Sequence, residues 1–217
     1  YGDIPKNDPP SNETVAYKPS SPYAASKASS DHMLRALNRT YGLPITISNC
    51  SNNYGPYQFP EKLIPHIIIN ILKGKQLPVY GDGKQTRDWL HTSDHINGIL
   101  NIIELGQSGD TYNIGGNNEL SNIYVIKMIC DFIDKNFSKK LNNLNSSREL
   151  ISFVSDRPGH DKRYAIDTSK IMNAFDWKPS IDFKSGLEDT IKWYVENEWW
   201  WSEILETKYH MDRQGNK

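Results

Sequence analysis

Ser20-Ser21-Pro22-Tyr23-Ala24-Ala25-Ser26-Lys27 is the stretch on which the reading of the chain turns. Proline suits the first turn of a helix, where its missing N–H costs nothing. Ser20 or Ser21 can cap that turn, and Ala24, Ala25 and Ala28 then favour helix. The helix is expected over about 22–41, with Met33, Leu34 and Leu37 on one side and Gly42 as its stop. Tyr23 and Lys27 are four apart, so both project from one face. An ammonium beside a phenol stabilises the phenolate and draws its pKa down from about 10 towards neutrality, where a general base works best. The competing reading is a helix that merely carries Tyr and Lys at this spacing, because Tyr-x-x-x-Lys alone is common.

The 217 residues leave room for one large or two small domains. Removing tyrosines from the 37% hydrophobic fraction and adding glycines leaves roughly 38%, below the usual ~45–50%. Such a chain is expected to carry large polar binding loops or to be part of a larger protein. A net charge of -1 gives no basic footprint for nucleic acid. No apolar run approaches the ~20 residues of a membrane span, and Cys50 and Cys130 make neither a disulfide framework nor a metal spacing. A soluble, cytoplasmic protein without a metal is the expectation.

Outward from the helix, residues 1–21 read as loop, punctuated by Pro5, Pro9, Pro10 and Pro19. Pro44-Ile45-Thr46-Ile47-Ser48 is a short β-branched strand. Helix, turn and strand make one step of an α/β crossover. The run from Asn49 to Tyr57 follows, at the carboxyl end of that strand, where open α/β sheets bind ligands. A plain polar turn accounts for the same residues equally well.

Leu63 to Leu72 reads as an apolar helix, Leu77 to Tyr80 as a strand, and Gly81-Asp82-Gly83 as a turn. Arg87 after that turn suits an oxyanion, or else pairs with Asp88 or Asp94. Ser93-Asp94 is expected to cap a helix to about 105, and Thr111 to Gly116 to form strand and turn. A helix capped by Ser121 or Asn122 runs to about 134. Lys139 to Glu149 is polar and expected to be mobile. Ile151 to Val154 is a strand, followed by Asp156-Arg157-Pro158-Gly159-His160-Asp161-Lys162-Arg163-Tyr164, either a charged surface loop or an anion-binding one. Ser169 to Phe175 is helical, and one last helix is expected from Gly186 to about Glu206. Trp199-Trp200-Trp201 cannot all occupy one helical face, so at least one ring is exposed or meets a partner.

Taken in order, Tyr23-x-x-x-Lys27, the Asn49 to Tyr57 run, Phe59 to Pro65, Arg87-Asp88-Trp89, Tyr112 to Gly116 and Asp156 to Asp161 resemble the dTDP-glucose 4,6-dehydratases of the extended short-chain dehydrogenase/reductase superfamily. The resemblance covers roughly residues 1–195, and UDP-glucose 4,6-dehydratases are close relatives. It implies an α/β fold: a partial Rossmann-like, doubly wound parallel sheet plus a smaller α/β sugar-nucleotide-binding subdomain. Residues 1–53 would be a remnant of the NAD-binding domain, 54–110 mainly substrate-binding, 111–118 the last Rossmann strand, 119–206 the substrate subdomain with the C-terminal helix, and 207–217 a tail.

The resemblance implies NAD as cofactor and a sugar nucleotide, dTDP- or UDP-glucose, as substrate. Tyr23 would take the proton of the glucose 4-hydroxyl, Lys27 would hold the nicotinamide ribose, and Asn53 would touch NAD. Asn52, Lys62, Leu63, Pro78, Val79, Tyr80, Arg87, Asn122 and Asp156, Arg157, Pro158, Gly159 and His160 would line the substrate site, with Arg87, Asn122, Arg157 and His160 around one diphosphate. Such enzymes usually pair two long helices per subunit into a four-helix bundle. That gives a homodimer, with Met33, Leu34 and Leu37 as the contact.

The chain departs from the family in containing no Gly-x-x-Gly-x-x-Gly turn, the device that sets a helix N-terminus against a dinucleotide pyrophosphate. It therefore reads as the C-terminal part of such an enzyme, inactive alone. The alternatives are a UDP-sugar epimerase or decarboxylase of the same superfamily, a non-catalytic sugar-nucleotide binding module, and an interaction protein using the tryptophan tail.

Overall fold

In chain order the elements are α1 (Pro22–Tyr41), β1 (Ile47–Cys50), β2 (Asn52–Tyr54), α2 (Leu63–Leu72), β3 (Leu77–Tyr80), β4 (Thr86–His91), α3 (Thr92–Leu105) and β5 (Thr111–Ile114). There follow β6 (Glu119–Ser121), α4 (Asn122–Asn136), β7 (Ile151–Val154), β8 (Arg163–Tyr164), α5 (Ser169–Phe175), α6 (Phe183–Glu196) and α7 (Glu198–Thr207). The computed structural model describes residues 1–141 and 144–207. The contacts divide the chain into two units. The first comprises Tyr1–Asn53, Gln85–Glu119 and Gly159–Ile181; the second comprises Tyr54–Lys84, Leu120–Pro158 and Asp182–Lys217.

In the first unit β1 and β5 pair in parallel, with Ile47 opposite Thr111 and Cys50 opposite Ile114. Parallel pairing needs a crossover, and α3 belongs to it. Leu90, Ile102, Tyr112, Ile114, Ile171 and Trp177 form the core here. Gly98 allows the close approach of α3 to β5, since a Cβ there would lie 2.9 Å from Ile114 Cγ2. β4 pairs in parallel with β8, and the N-terminal segment runs beside β8, where Ser11 donates to Ala165 O (3.1 Å) and Asp167 donates to Ser11 O (2.9 Å). The parallel α/β character expected from the sequence is borne out.

Helix α1 begins as read. Ser21 Oγ accepts from Ala24 N, Pro22 occupies the first turn, and Gly42, at φ 67, closes the helix by donating to Asn38 O. The strand expected at 44–48 is instead Ile47–Cys50. Ile45 O accepts from Gly109 N and the ladder begins only at Ile47, which donates to Asp110 O. Asp94 is not the cap of α3. His91 Nδ1 takes that role, accepting from Ser93 N (3.3 Å), while the buried Asp94 accepts from Ser180 Oγ (2.7 Å) and Ile181 N (3.0 Å).

In the second unit β3 and β7 pair in parallel, Leu77 opposite Ile151, and α2 packs with α4 and α6. Ile64, Pro65, Ile67, Ile68, Ile69, Asn70 and Ile71 are all buried, as befits a helix apolar all round. The single last helix is corrected to two. Asn197 stops α6, its side-chain amide donating to Trp193 O (2.9 Å), a local bond that competes with helix continuation. α6 also starts earlier than read, at Phe183, because Asp182 accepts from Lys184 N and Ser185 N. Trp201 is buried and donates from Nε1 to Tyr194 O, whereas Trp199 is exposed. The segment read as mobile carries a 3-10 turn at Ser138–Lys140 and a second at Ser147–Leu150 with a Ser146/Glu149 capping box. Residues 142 and 143 within it, and 208–217 of the expected tail, lie outside the described residues. Among the described residues no helix is long and apolar enough to cross a membrane.

Candidate active site

The first unit holds a cavity of about 490 Å³. α1 supplies Tyr23, Lys27 and Asp31 to its wall, the end of β1 supplies Asn49 to Asn52, and β8 and its exit supply Tyr164, Ala165 and Ile166. Tyr1, Tyr17 and Asp88 complete the polar side. Within the polar run Asn49 and Cys50 end β1 and Asn52 to Tyr54 form β2, while Gly55 to Tyr57 make a turn. Ser48 to Asn52 line the cavity in unbroken succession.

Of the residues expected from the sequence, Tyr23, Lys27 and Asn52 meet on this wall. Tyr23 is 75% exposed, so its hydroxyl is accessible to a ligand. Asn53 is turned elsewhere. Its carbonyl oxygen accepts from His95 Nδ1 (2.7 Å), and its amide donates to Ser51 O (3.0 Å) and Cys50 Sγ (3.4 Å). Burial lowers the pKa of His95 and raises that of the Cys50 thiol.

Arg87 is buried, and Nη2 donates to Asp161 O while Nη1 donates to Thr86 O, both at 2.8 Å. Its guanidinium lies 4.4 Å from the Tyr164 ring centroid. It pairs with neither candidate carboxylate. Asp88 accepts from Gly116 N (2.9 Å) and Asn118 N (2.7 Å), and burial pushes its carboxyl up. The Tyr164 hydroxyl donates to Asp161, and burial together with that carboxylate raises its pKa. Tyr1, Tyr17, Asp88 and Tyr164 are lining residues to which the sequence reading gave no site role, although Asp88 and Tyr164 fell inside its motifs.

The Asp156–His160 run is divided between the units. Gly159 and the half-buried His160 belong to the first; Asp156, Arg157 and Pro158 belong to the second. In the second unit Arg157 lies over the Tyr80 ring, 5.0 Å from its centroid, and Asp156 Oδ1 accepts from Arg157 N. Pro78 is half-buried and Val79 buried in the same strand. The Gly81–Gly83 turn is joined to the start of α4, beside Asn122, by Ile123 N donating to Gly83 O (2.9 Å). Lys62 is exposed before α2, 3.7 Å from Glu61, and Leu63 opens that helix half-buried. Among the described residues no group of His, Cys, Asp or Glu is placed to hold a metal ion.

Comparison with known proteins agrees with this geometry. A dTDP-glucose 4,6-dehydratase of Escherichia coli is 51% identical over 223 residues, covering 99% of this chain and 62% of its own. The crystal structure of dTDP-glucose 4,6-dehydratase from Bacillus anthracis in complex with NAD superimposes with a TM-score of 0.84 at 44% identity, over 94% of this chain and 61% of that one. A UDP-glucuronic acid 4-epimerase from Bacillus cereus, in complex with UDP-glucuronic acid and NAD, is more distant, with a TM-score of 0.78 at 27% identity, over 90% and 58%. The chain thus spans about three fifths of the length of these relatives. The resemblance to dTDP-glucose 4,6-dehydratases is borne out. With a parallel α/β core, a Tyr–Lys helix on a cavity wall and a match to the GDP-mannose 4,6 dehydratase family model over residues 1–190, this chain belongs to that family.

Proposed function

We propose that the chain is the part of a nucleotide-sugar 4,6-dehydratase that handles the proton of the first step and holds the substrate, dTDP-glucose. The observation that carries the reading is Tyr23 and Lys27, one helical turn apart on the wall of a cavity that Asn52 also lines. Tyr23 takes the proton from the glucose 4-hydroxyl, and Lys27 keeps a positive charge beside the phenolate that forms. Asn52 offers an amide to a sugar hydroxyl. In the second unit Tyr80, with Arg157 over its ring, offers a base-stacking face and a phosphate-binding guanidinium; Lys62, Leu63, Pro78, Val79 and Asn122 are further candidates. In the first, Arg87, Gly159 and His160 are.

The cavity fits one end of NAD. An exposed phenol and an ammonium suit the hydroxyls of a ribose, while no glycine-rich pyrophosphate turn occurs in the sequence. Bound NAD would supply a hydride acceptor at C4 of the sugar and, once water has left across C5 and C6, a hydride donor at C6. The reading extends to a cytoplasmic homodimer packed through α1, which the exposure of Met33 supports. The epimerase alternative is disfavoured by the identities, 27% against 51%.

The test completes the chain with the remaining portion of a curated relative and follows formation of the 4-keto-6-deoxy product from dTDP-glucose with NAD. Tyr23→Phe is expected to lower the rate roughly 10²–10⁴-fold, the usual worth of general acid–base catalysis, with sugar-nucleotide affinity little changed. A wild-type rate removes Tyr23 from the mechanism.

A further inference from the structure

No residue of α1 is buried, although the helix runs for 20 residues and carries the proposed proton-transfer pair. Its placement therefore depends on what its side chains bond to. Tyr23, Lys27, Asp31 and Arg35 recur every four positions and share one stripe of the helix. The first two line the cavity; the last two are tied down, and both ties meet at one oxygen. The Tyr17 hydroxyl donates to Asp31 Oδ2 (2.6 Å) and accepts from Arg35 Nη2 (3.0 Å) and from Asn49 Nδ2 (3.2 Å). A phenolic hydroxyl has one proton to give and room for two donors, so this hydroxyl is fully used.

The bonds lead in useful directions. Asn49 belongs to β1, and Arg35 Nη2 also donates to Thr111 Oγ1 on β5 (3.1 Å). The Tyr17 oxygen thereby joins the helix to β1, while Arg35 reaches β5 directly. The Arg35 guanidinium lies 5.2 Å from the Tyr17 ring centroid, and the Tyr1 ring packs edge-on at 5.2 Å, so the phenol itself is held in place. Burial, reinforced by Asp31, raises the Tyr17 pKa and keeps the proton that the Asp31 bond requires.

We propose that Tyr17 is a positioning residue for Tyr23 and Lys27: its hydroxyl, bonded to Asp31 and Arg35 of α1 and to Asn49 of β1, fixes the placement of α1 on β1, and so sets where the phenol and ammonium meet a substrate. The inference rests on the proposed role of the Tyr23–Lys27 pair. It assigns no chemistry to Tyr17 itself.

The test begins with backbone amide hydrogen exchange of the 217-residue chain, measured peptide by peptide. Tyr17→Phe removes one oxygen and little volume. Exchange over residues 22–41 should rise roughly tenfold to a hundredfold, the scale of a lost hydrogen bond to a charged group, while peptides from α3 and β5 keep their wild-type rates. Asp31→Asn retains an acceptor and should hold α1 exchange within about threefold of wild type, where Asp31→Ala should match Tyr17→Phe. In the completed enzyme, Tyr17→Phe should lower kcat at least about tenfold and leave KM for the sugar nucleotide within about twofold, the pattern of a misplaced reacting group.

Unchanged exchange in α1 overturns the proposal. So does an equal rise throughout the first unit, which marks a general stabilising role, and so does a loss confined to KM. The exchange measurement needs no catalysis. If Tyr23→Phe leaves turnover intact while Tyr17→Phe loosens α1, the functional reading fails and the anchor stands. If Tyr23→Phe abolishes turnover and Tyr17→Phe alters neither exchange nor kcat, the anchor fails and the functional reading stands.

Discussion

Asp88 is the most exacting test of how the cavity wall is held. Its side chain is 2% exposed, and its two oxygens accept from Gly116 N and Asn118 N, tying the turn after β5 to β4. Asp88→Ala strands two backbone donors. Each costs about 1–3 kcal/mol when left unmade, so a loss of about 2–6 kcal/mol in unfolding free energy is expected. Asp88→Asn keeps one acceptor and turns an N–H₂ towards the other donor, for about 1–3 kcal/mol. The pH dependence gives the sharper criterion. Burial raises the folded-state pKa of Asp88 above its unfolded value. The native state then binds more protons than the unfolded state between those two pKa values, and stability from this group falls as pH rises through that window. Asparagine does not titrate. The advantage of wild type over Asp88→Asn should be largest at acid pH, shrink as pH rises, and level off above the folded pKa. Urea unfolding of both proteins at intervals from about pH 4 to 8 measures the difference directly, with contributions shared by the two chains cancelling. A gap that widens with pH would refute the reasoning, as would an Asp88→Ala protein as stable as wild type.

Trp201→Ala should cost about 3–5 kcal/mol, because the ring is 1% exposed and its Nε1 bond to Tyr194 O is lost as well; circular dichroism during denaturation reads it. Gly42→Ala places a side chain at φ 67, where open space removes any clash and leaves only the backbone cost of about 1–2 kcal/mol. Helix content near the midpoint should fall accordingly, and an unchanged midpoint would mean that the C-cap of α1 frays without consequence. The 217-residue chain incubated with dTDP-glucose and NAD should give no 4-keto product, and clear turnover by the pure chain would defeat that expectation.

Legibility in the sequence followed the range of the interaction that fixes each feature. The bounds of α2, β3 and α5 agree with the residues read from pattern alone, because apolar runs, Gly74 and Ser169 are local signals. Tyr23 and Lys27 were legible for the same reason, since spacing on one helix needs no tertiary knowledge. Asp94 was misread as a cap because its partners Ser180 and Ile181 lie more than eighty positions away. The bond between the Asn53 side-chain oxygen and His95, forty-two positions on, left no local signal either. Tyr17 was passed over entirely. A lone tyrosine in a proline-flanked loop carries no pattern, and its three hydroxyl partners come from two separate elements. The break at Asn197 was missed because a helical apolar stripe continues across it, while the amide that interrupts the backbone is a single side chain.

The way the chain is divided between its two units bears on how it is made. Each unit is assembled from three separated segments, and the last segment of the first unit, Gly159–Ile181, follows most of the second in the chain. On a ribosome, β1 is complete long before α5, and at about 5–20 residues per second the wait from Asn53 to Ile181 is roughly 6–25 s. Once made, Tyr112 and Ile114 wait for the Ile171 and Trp177 that pack with them in the finished core. Neither unit can therefore be obtained by cutting the gene at a single point, and a nascent chain stalled before Gly159 presents both cores unfinished to chaperones and proteases.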